Sequence, residues 1–220
     1  MNRFLYEQCL EYNKSLLLLG NKAFESKPDH GLFQATLKRA IDVVFSLIVL
    51  AALSPVFLAI AILVKLTSPG SVIFSQERVG QDGKIFTIYK FRSMKQGANP
   101  YAYSPTKNND RRVTKFGRFL RKSGLDELPQ FINVLKGEMS VVGPRPEMEF
   151  IVKKYNNKER RRLFLKPGIT GIWQIKTGRT KLIHQDIDFD LFYIDNLSIS
   201  LDLLIMAETA WFMLRSIITK

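Results

Sequence analysis

An aspartate and a glutamate stand side by side at Asp126 and Glu127, and further along Arg145 is locked between Pro144 and Pro146. These residue types suit phosphoryl chemistry. An Asp carboxylate can attack phosphorus and form an acyl-phosphate-type intermediate. A neighbouring Glu can hold Mg²⁺, which usually binds through one or two carboxylates plus substrate phosphates. A stiff Pro-Arg-Pro backbone pre-orders one guanidinium fork for phosphate oxygens. The dipeptide also has a plainer use: Ser123-x-x-Asp126 fits a loose capping box, and acids suit the first turn of a helix. Weighed alone, the pair reads as capping, so its surroundings decide.

The elements that must position these residues are legible on either side. Leu128, Phe131, Ile132 and Leu135 follow helical spacing, with Pro129 suited to a first turn and Gly137 to a stop. A short helix is therefore expected to start near the two acids and direct its free N–H groups towards what they handle. Upstream, residues 71–78 and 84–91 read as strands joined at Gly80-Gln81-Asp82-Gly83. Phe86, Ile88, Lys90 and Arg92 then share one face by period-two alternation. The two cations can hold a phosphate or simply face water. Residues 96–109, broken by Pro100 and Pro105, read as a mobile loop. Arg111, Arg112, Lys115, Arg118, Arg121 and Lys122 bring a basic segment up to the acids, mostly solvated or facing headgroups.

A charged helix is expected over about 147–165, its Lys153, Lys154, Lys158, Arg160, Arg161 and Arg162 facing water or lipid headgroups. The loop 165–174 carries Gly168 and Gly171, which allow close approach to a ligand. Asp186, Asp188, Asp190 and Asp195 resemble a calcium loop only superficially, because the glycine and terminal glutamate are not at their required positions. Any of these acids can still enter a site by folding back.

Net charge is +13, which favours anionic partners: nucleic acid, anionic headgroups or phosphorylated substrates. The single cysteine, Cys9, leaves no internal disulfide or cysteine zinc cluster and fits a reducing compartment. The N-terminal apolar run is too short for a signal-peptide core and is interrupted by acids, so it reads as mature sequence. Residues 43–64 contain no charge and are long enough for the roughly 30 Å hydrocarbon slab. Ser54-Pro55 sits at the middle of that run and must break or bend the helix. Lys38 and Arg39 at one end and Lys65 at the other give no directional bias. A kinked span and a helix–break–helix hairpin both remain open. The last helix, 201–218, repeats Asp202, Thr209 and Ser216 every seven residues beside a broad apolar face, which suits either a membrane interface or a protein core.

No GxxxxGK[ST], GxGxxG or HExxH motif is present, and His30 and His184 supply a Ser/His pair poorly. The ordered motifs instead resemble one family. They are Ser54-Pro55, Lys90-Phe91-Arg92-Ser93-Met94, Leu125-Asp126-Glu127-Leu128-Pro129, Val142-Gly143-Pro144-Arg145-Pro146, Lys166-Pro167-Gly168-Ile169-Thr170-Gly171 and Asp190-x-x-Tyr193. From about Lys38 onward the chain resembles the bacterial monotopic polyprenyl-phosphate phosphoglycosyl transferases, which initiate glycan assembly. Leu197, where many relatives carry an aromatic, is a small departure.

The resemblance implies an Mg²⁺-dependent transfer of sugar-1-phosphate from a UDP-sugar to polyprenyl phosphate, releasing UMP. Asp126 would be the nucleophile, Glu127 the Mg²⁺ ligand and Arg145 the phosphate grip, with Lys90, Arg92 and Asp190 as further substrate-binding residues. It also implies that Ser54 and Pro55 break a re-entrant hairpin at the bacterial inner (cytoplasmic) membrane, with the catalytic body on its cytoplasmic face. The expected fold is α+β and mostly helical, with that hairpin, a small β-hairpin and amphipathic interfacial helices. Expected divisions are an N-terminal helical extension at 1–36, the re-entrant helix at 37–66 and the catalytic domain at 67–220, ending in an interfacial helix. Expected partners are membrane lipid and the two substrates, with no nucleic acid and room for a homodimer. The rival from another class is a non-catalytic, membrane-anchored basic protein that grips anionic lipid or nucleic acid.

Overall fold

A computed structural model describes residues 7–9, 11–12, 31–99, 102, 105, 110–177 and 187–218. His30, Pro100, His184 and Asp186, all considered above, lie outside the described residues.

The uncharged run folds as two helices, α1 (Leu32–Ala52) and α2 (Ser54–Thr67), bent by 62° at Leu53. Pro55 lies in the first turn of α2, where its missing N–H costs nothing, and the Ser54 hydroxyl donates to the Ala51 carbonyl at 2.9 Å. The proline therefore opens a second helix instead of kinking one. Neither helix alone is long and apolar enough to cross a membrane, but the bent pair meets that test by length and composition. Its outward side exposes Val44, Leu47, Ile48, Leu58, Ile62 and Leu63.

Strands β1 (Ile73–Val79) and β2 (Ile85–Phe91) pair antiparallel, with Ile73 opposite Phe91 and Val79 opposite Ile85. The turn between them places Asp82 at φ 55°, which a short polar side chain tolerates. Next come α3 (Lys115–Ser123), a 3₁₀ turn (Leu125–Glu127) and α4 (Gln130–Leu135). Gly137, at φ 80°, stops α4.

Strand β3 (Ser140–Val142) runs parallel to β4 (Gly168–Thr170), so the chain between them must cross over. That crossover is not the single charged helix expected. It contains α5 (Glu149–Val152), α6 (Asn157–Arg160) and a 3₁₀ segment (Arg161–Phe164). A capping box between Asn156 and Glu159 starts α6 and explains the break. Lys153, Lys154 and Arg160 are exposed as expected, but Arg161 and Arg162 are buried. Helices α7 (Ile172–Thr177), α8 (Asp188–Asp195) and α9 (Ile199–Ile218) complete the order.

One main core joins α2, β2, α4, β3, α7, α8 and α9 through Val64, Ile88, Val134, Val142, Ile172, Phe192 and Ile205. The apolar helix pair is tied to it by polar bonds. Asp42 accepts from the Val141 amide at 2.9 Å, and Arg39 donates to the carbonyls of Val134 and Leu135, which end α4. Lys38 bonds Asp202 at 2.7 Å and the Val142 carbonyl at 3.1 Å.

Helix α9 is turned inside out relative to a water-soluble surface helix. Its polar stripe faces the body: Asp202 is 5% exposed and also accepts from Tyr193, while Thr209 bonds Thr170. Its apolar side faces outward, with Trp211 64% exposed beside Leu203, Leu214 and Ile218. An outward apolar face of that size needs another apolar phase or partner.

Candidate active site

The acid pair is positioned by the ends of two helices. Gly124 takes the left-handed conformation at φ 78° as α3 ends, and the 3₁₀ turn that follows carries Asp126 and Glu127. Both are buried, at 4% and 2% exposure. The helix thus starts near the acids as expected, although they precede α4 by a separate turn and do not lie in its first turn. The capping box is also absent. Ser123 spends its hydroxyl on Phe119 and Leu120 carbonyls inside α3. Two buried carboxylates that do not cap a helix call for another explanation, since ionised groups are costly to bury unless paired.

Glu127 has that pairing. Lys90 Nζ reaches Oε1 at 3.1 Å, while Arg145 Nη2 lies 2.8 Å from Oε1 and Nη1 3.4 Å from Oε2. The three residues come from β2, the 3₁₀ turn and the Pro-Arg-Pro segment, so the fold brings together what the sequence keeps apart. Burial pulls Lys90 down to a pKa of about 8, against the opposing field of Glu127. Burial also opposes the charge on Arg145, but Glu127 outweighs it and holds the guanidinium above its ordinary value.

Supports lie behind each member. Asn133 of α4 donates to the Thr87 carbonyl at 2.7 Å and accepts the Tyr89 amide at 3.2 Å, clamping β2 immediately before Lys90. Arg145 is held through its backbone: Arg162 Nη2 donates to the Arg145 carbonyl at 2.9 Å. Arg162 Nε pairs with Asp190 at 2.7 Å, and its guanidinium also bonds the Tyr155 hydroxyl. Burial raises the Asp190 carboxyl above its ordinary value despite the pull of Arg162. The strand pair locks the same segment, since the Gly143 amide donates to Thr170 and the Gly168 amide to Pro144, each at 2.9 Å. A Cβ on Gly143 would stand 2.5 Å from the Lys166 carbonyl oxygen, and one on Gly168 would collide with the Gly143 backbone. These glycines therefore serve backbone-to-backbone approach. The expected approach of loop 165–174 to a ligand gives way to strand pairing.

Two other expected site residues stand apart from the acid pair. Arg92 does not join the acids: β2 ends at Phe91, and the Arg92 guanidinium donates to the Ser68 carbonyl at 2.6 Å, where α2 ends. A cation at a helix C-terminus satisfies its free carbonyls. Asp190 pairs with Arg162, which in turn donates to the Arg145 carbonyl. In the basic segment, Arg112 pairs with Asp110 and Arg121 donates to the Pro105 carbonyl, while Arg111, Lys115, Arg118 and Lys122 are exposed.

Sequence reasoning missed Arg162 and Arg78. Arg78 is buried on β1 and donates to Gln76 at 2.7 Å, with Glu147 3.9 Å away. Burial lowers it to about 10, and the charges of Arg145 and Glu127 reach it. The signal for it was Gln76 and Arg78 on one strand face, a polar pair where an inward face would be apolar. Arg162 gave no local signal, because it sits among three consecutive arginines.

The donor set suits Mg²⁺. Adjacent buried carboxylates supply hard oxygens, and this ion normally takes one or two of them and leaves its other positions to water and phosphate. Among the described residues no group of three or more His, Cys, Asp or Glu forms a larger metal cluster. The carboxylates present therefore fit such an ion, with Glu127 as the expected ligand.

With this geometry in view, comparison with known proteins decides the family. Residues 33–216 match the model for bacterial sugar transferases. The chain belongs to the bacterial sugar transferase family. Among similar sugar transferases is the UDP-glucose:undecaprenyl-phosphate glucose-1-phosphate transferase of Escherichia coli. It is 44% identical over 188 residues, covering 80% of this chain and 39% of that protein. An Aeromonas hydrophila UDP-N-acetylgalactosamine-undecaprenyl-phosphate N-acetylgalactosaminephosphotransferase is 41% identical, covering 84% of this chain and 44% of that protein. The exopolysaccharide production protein ExoY of Sinorhizobium fredii is 39% identical, with 78% and 83% covered. The chain thus spans less than half the length of the first two of these relatives and most of the third. The rival reading, a non-catalytic binder of lipid or nucleic acid, finds no support in these relatives.

Proposed function

We propose that this sugar transferase moves a sugar-1-phosphate from a UDP-sugar to polyprenyl phosphate, releasing UMP, as the first membrane step of a surface glycan. The observation that carries the reading is the buried Asp126-Glu127 pair with Lys90 and Arg145 converging on Glu127. Those two cations are the charges a diphosphate needs. The guanidinium has donors to spare beyond its bonds to Glu127.

In the first step an Asp126 carboxylate oxygen attacks the β-phosphorus of the UDP-sugar. The new O–P bond forms as the bridging P–O bond breaks, and its electron pair leaves on UMP. Polyprenyl phosphate then attacks the same phosphorus with one oxygen, and the Asp126 O–P bond breaks to regenerate the carboxylate. Arg145 and Lys90 bind and orient phosphate oxygens through both steps, and the low-dielectric pocket strengthens their hold. Mg²⁺ held by Glu127 would neutralise charge on the diphosphate when bound. The two-step route explains why a carboxylate nucleophile is kept beside, and distinct from, the carboxylate that carries the cations.

Two of the relatives above are named for UDP-glucose and UDP-N-acetylgalactosamine, and the UDP-hexoses are this chain's proposed donor class. The bent helix pair and the outward apolar side of α9 support residence on a bilayer as a re-entrant hairpin with an interfacial C-terminal helix. The body then lies on the cytoplasmic face of the inner membrane, where UDP-sugars are available.

The test is purified protein with Mg²⁺, polyprenyl phosphate and a panel of UDP-sugars, scored by UMP release. One donor should release UMP. With radiolabelled donor and no acceptor, sugar-phosphate should stay on the protein. Asp126→Asn should abolish both signals while leaving the melting temperature near that of the parent. Full turnover in Asp126→Asn would end the nucleophile assignment.

A further inference from the structure

Cys9 and Tyr12 precede the stretch matched by the family model, which begins at residue 33, yet they are built into the body. Cys9 is 1% exposed within the main core, and the Tyr12 ring meets Phe192 of α8 edge-on at 5.4 Å. The Tyr12 hydroxyl bonds the Asp195 carboxylate at the end of α8, and the same carboxylate receives the Arg161 guanidinium. Arg161 is the chain neighbour of Arg162, which pairs with Asp190 of α8 and donates to the Arg145 carbonyl. Two ion pairs therefore rivet one short 3₁₀ segment to one helix. The first rivet carries Tyr12, and the second carries the backbone of the phosphate-gripping arginine.

We propose that Tyr12 is a positioning residue for Arg145, and that the segment around Cys9 and Tyr12 is a strap fixing the Arg161–Arg162 segment against α8. The coupling has a physical route. Asp195 is held on one side by a phenol and on the other by a guanidinium, so its place fixes the place of Arg161. The planar peptide between Arg161 and Arg162, within an ordered 3₁₀ turn, transmits that place from one residue to the next. Arg162 then sets how far the Arg145 carbonyl, and with it the guanidinium, stands from Glu127. A merely structural strap would change stability alone. A positioning strap changes the affinity for the diphosphate donor. This inference rests on the proposed role of Arg145 in gripping that donor.

The experiment measures UDP-sugar affinity by calorimetry and turnover by UMP release, using the full chain in detergent or nanodiscs. Tyr12→Phe keeps the ring against Phe192 and removes only the hydroxyl. The expected result is a 3- to 10-fold loss of donor affinity with kcat within twofold of the parent. Asp195→Asn, which keeps the side-chain shape, should reproduce that pattern. In an Arg145→Lys background, Tyr12→Phe should have no further effect on donor affinity, because the group it positions is gone. Unchanged donor affinity in both single variants would overturn the proposal, as would losses that simply add to that of Arg145→Lys. If the parent protein binds no UDP-sugar, the proposed function itself fails, and that outcome is distinct from a parent that binds and a Tyr12→Phe that binds equally.

Discussion

Arg162 donates one hydrogen bond to the backbone carbonyl of Arg145, 17 residues earlier in the chain, while its Nε is committed to Asp190 at 2.7 Å. Arg162 is 4% exposed and Asp190 2%. Arg145, the proposed phosphate grip, is thus held through its backbone by a second arginine.

That arrangement separates stability from function. Arg162→Gln leaves Asp190 buried without its cation and should cost about 3–5 kcal/mol of stability. Replacing both partners with apolar residues, Arg162→Met with Asp190→Leu, should restore much of that stability. Donor affinity should stay low in the double variant, because nothing then holds the Arg145 carbonyl. Thermal melts beside UDP-sugar titrations check the prediction, and recovery of both properties together would refute it.

Gly143 offers a second separation. A Cβ there meets the Lys166 carbonyl at 2.5 Å, so Gly143→Ala must spread β3 from β4. A loss of about 1–3 kcal/mol is expected from such overpacking, with UMP release falling further than the melt predicts, since Pro144 and Arg145 follow directly. Gly83→Ala is the control. Its Cβ meets open space, and its φ of +79° costs only about 1–2 kcal/mol, away from the acids. Turnover should survive there.

Lys90 gives a pH signature in protein kept free of metal with EDTA. Burial lowers its folded pKa from 10.5 to about 8. Between those values the unfolded chain holds the proton and the folded protein has released it. Stability should therefore rise as pH rises from about 8 to 10.5 and stay level below about 8, where both states hold the proton. Lys90→Met should flatten this slope in denaturant titrations run across the window. An unchanged slope would mean that Lys90 keeps its charge.

The helix pair makes a topological prediction. With Cys9 replaced, single cysteines placed at residues 20 and 100 should react with an impermeant reagent from the same side of sealed vesicles. Labelling from opposite sides would restore a kinked span.

What the sequence alone determined is mostly local. Helical spacing, Gly137 and Pro129 set α4 within a residue or two, and alternation with the Gly80–Gly83 turn set the strand pair. Ser54-Pro55 located the break between α1 and α2, since a missing N–H acts on its own turn wherever the chain goes. The motif order around Asp126, Glu127 and Arg145 was enough to name the family, because such residue types recur at fixed spacings. Tertiary structure decided what each charge does. Lys90 and Arg92 share a strand parity, yet one meets Glu127 and the other caps α2, because β2 ends between them. Arg161 and Arg162 read as solvated, yet both are buried, because their partners Asp195 and Asp190 lie on a helix about 30 residues away. Asp202 read as one step of a seven-residue polar repeat whose direction was open, and it faces Lys38 and Tyr193, while the apolar side of α9 faces outward. An ion pair across long sequence separation leaves no periodicity to read. Its geometry exists only once the core has brought α8 against the Arg161–Phe164 turn.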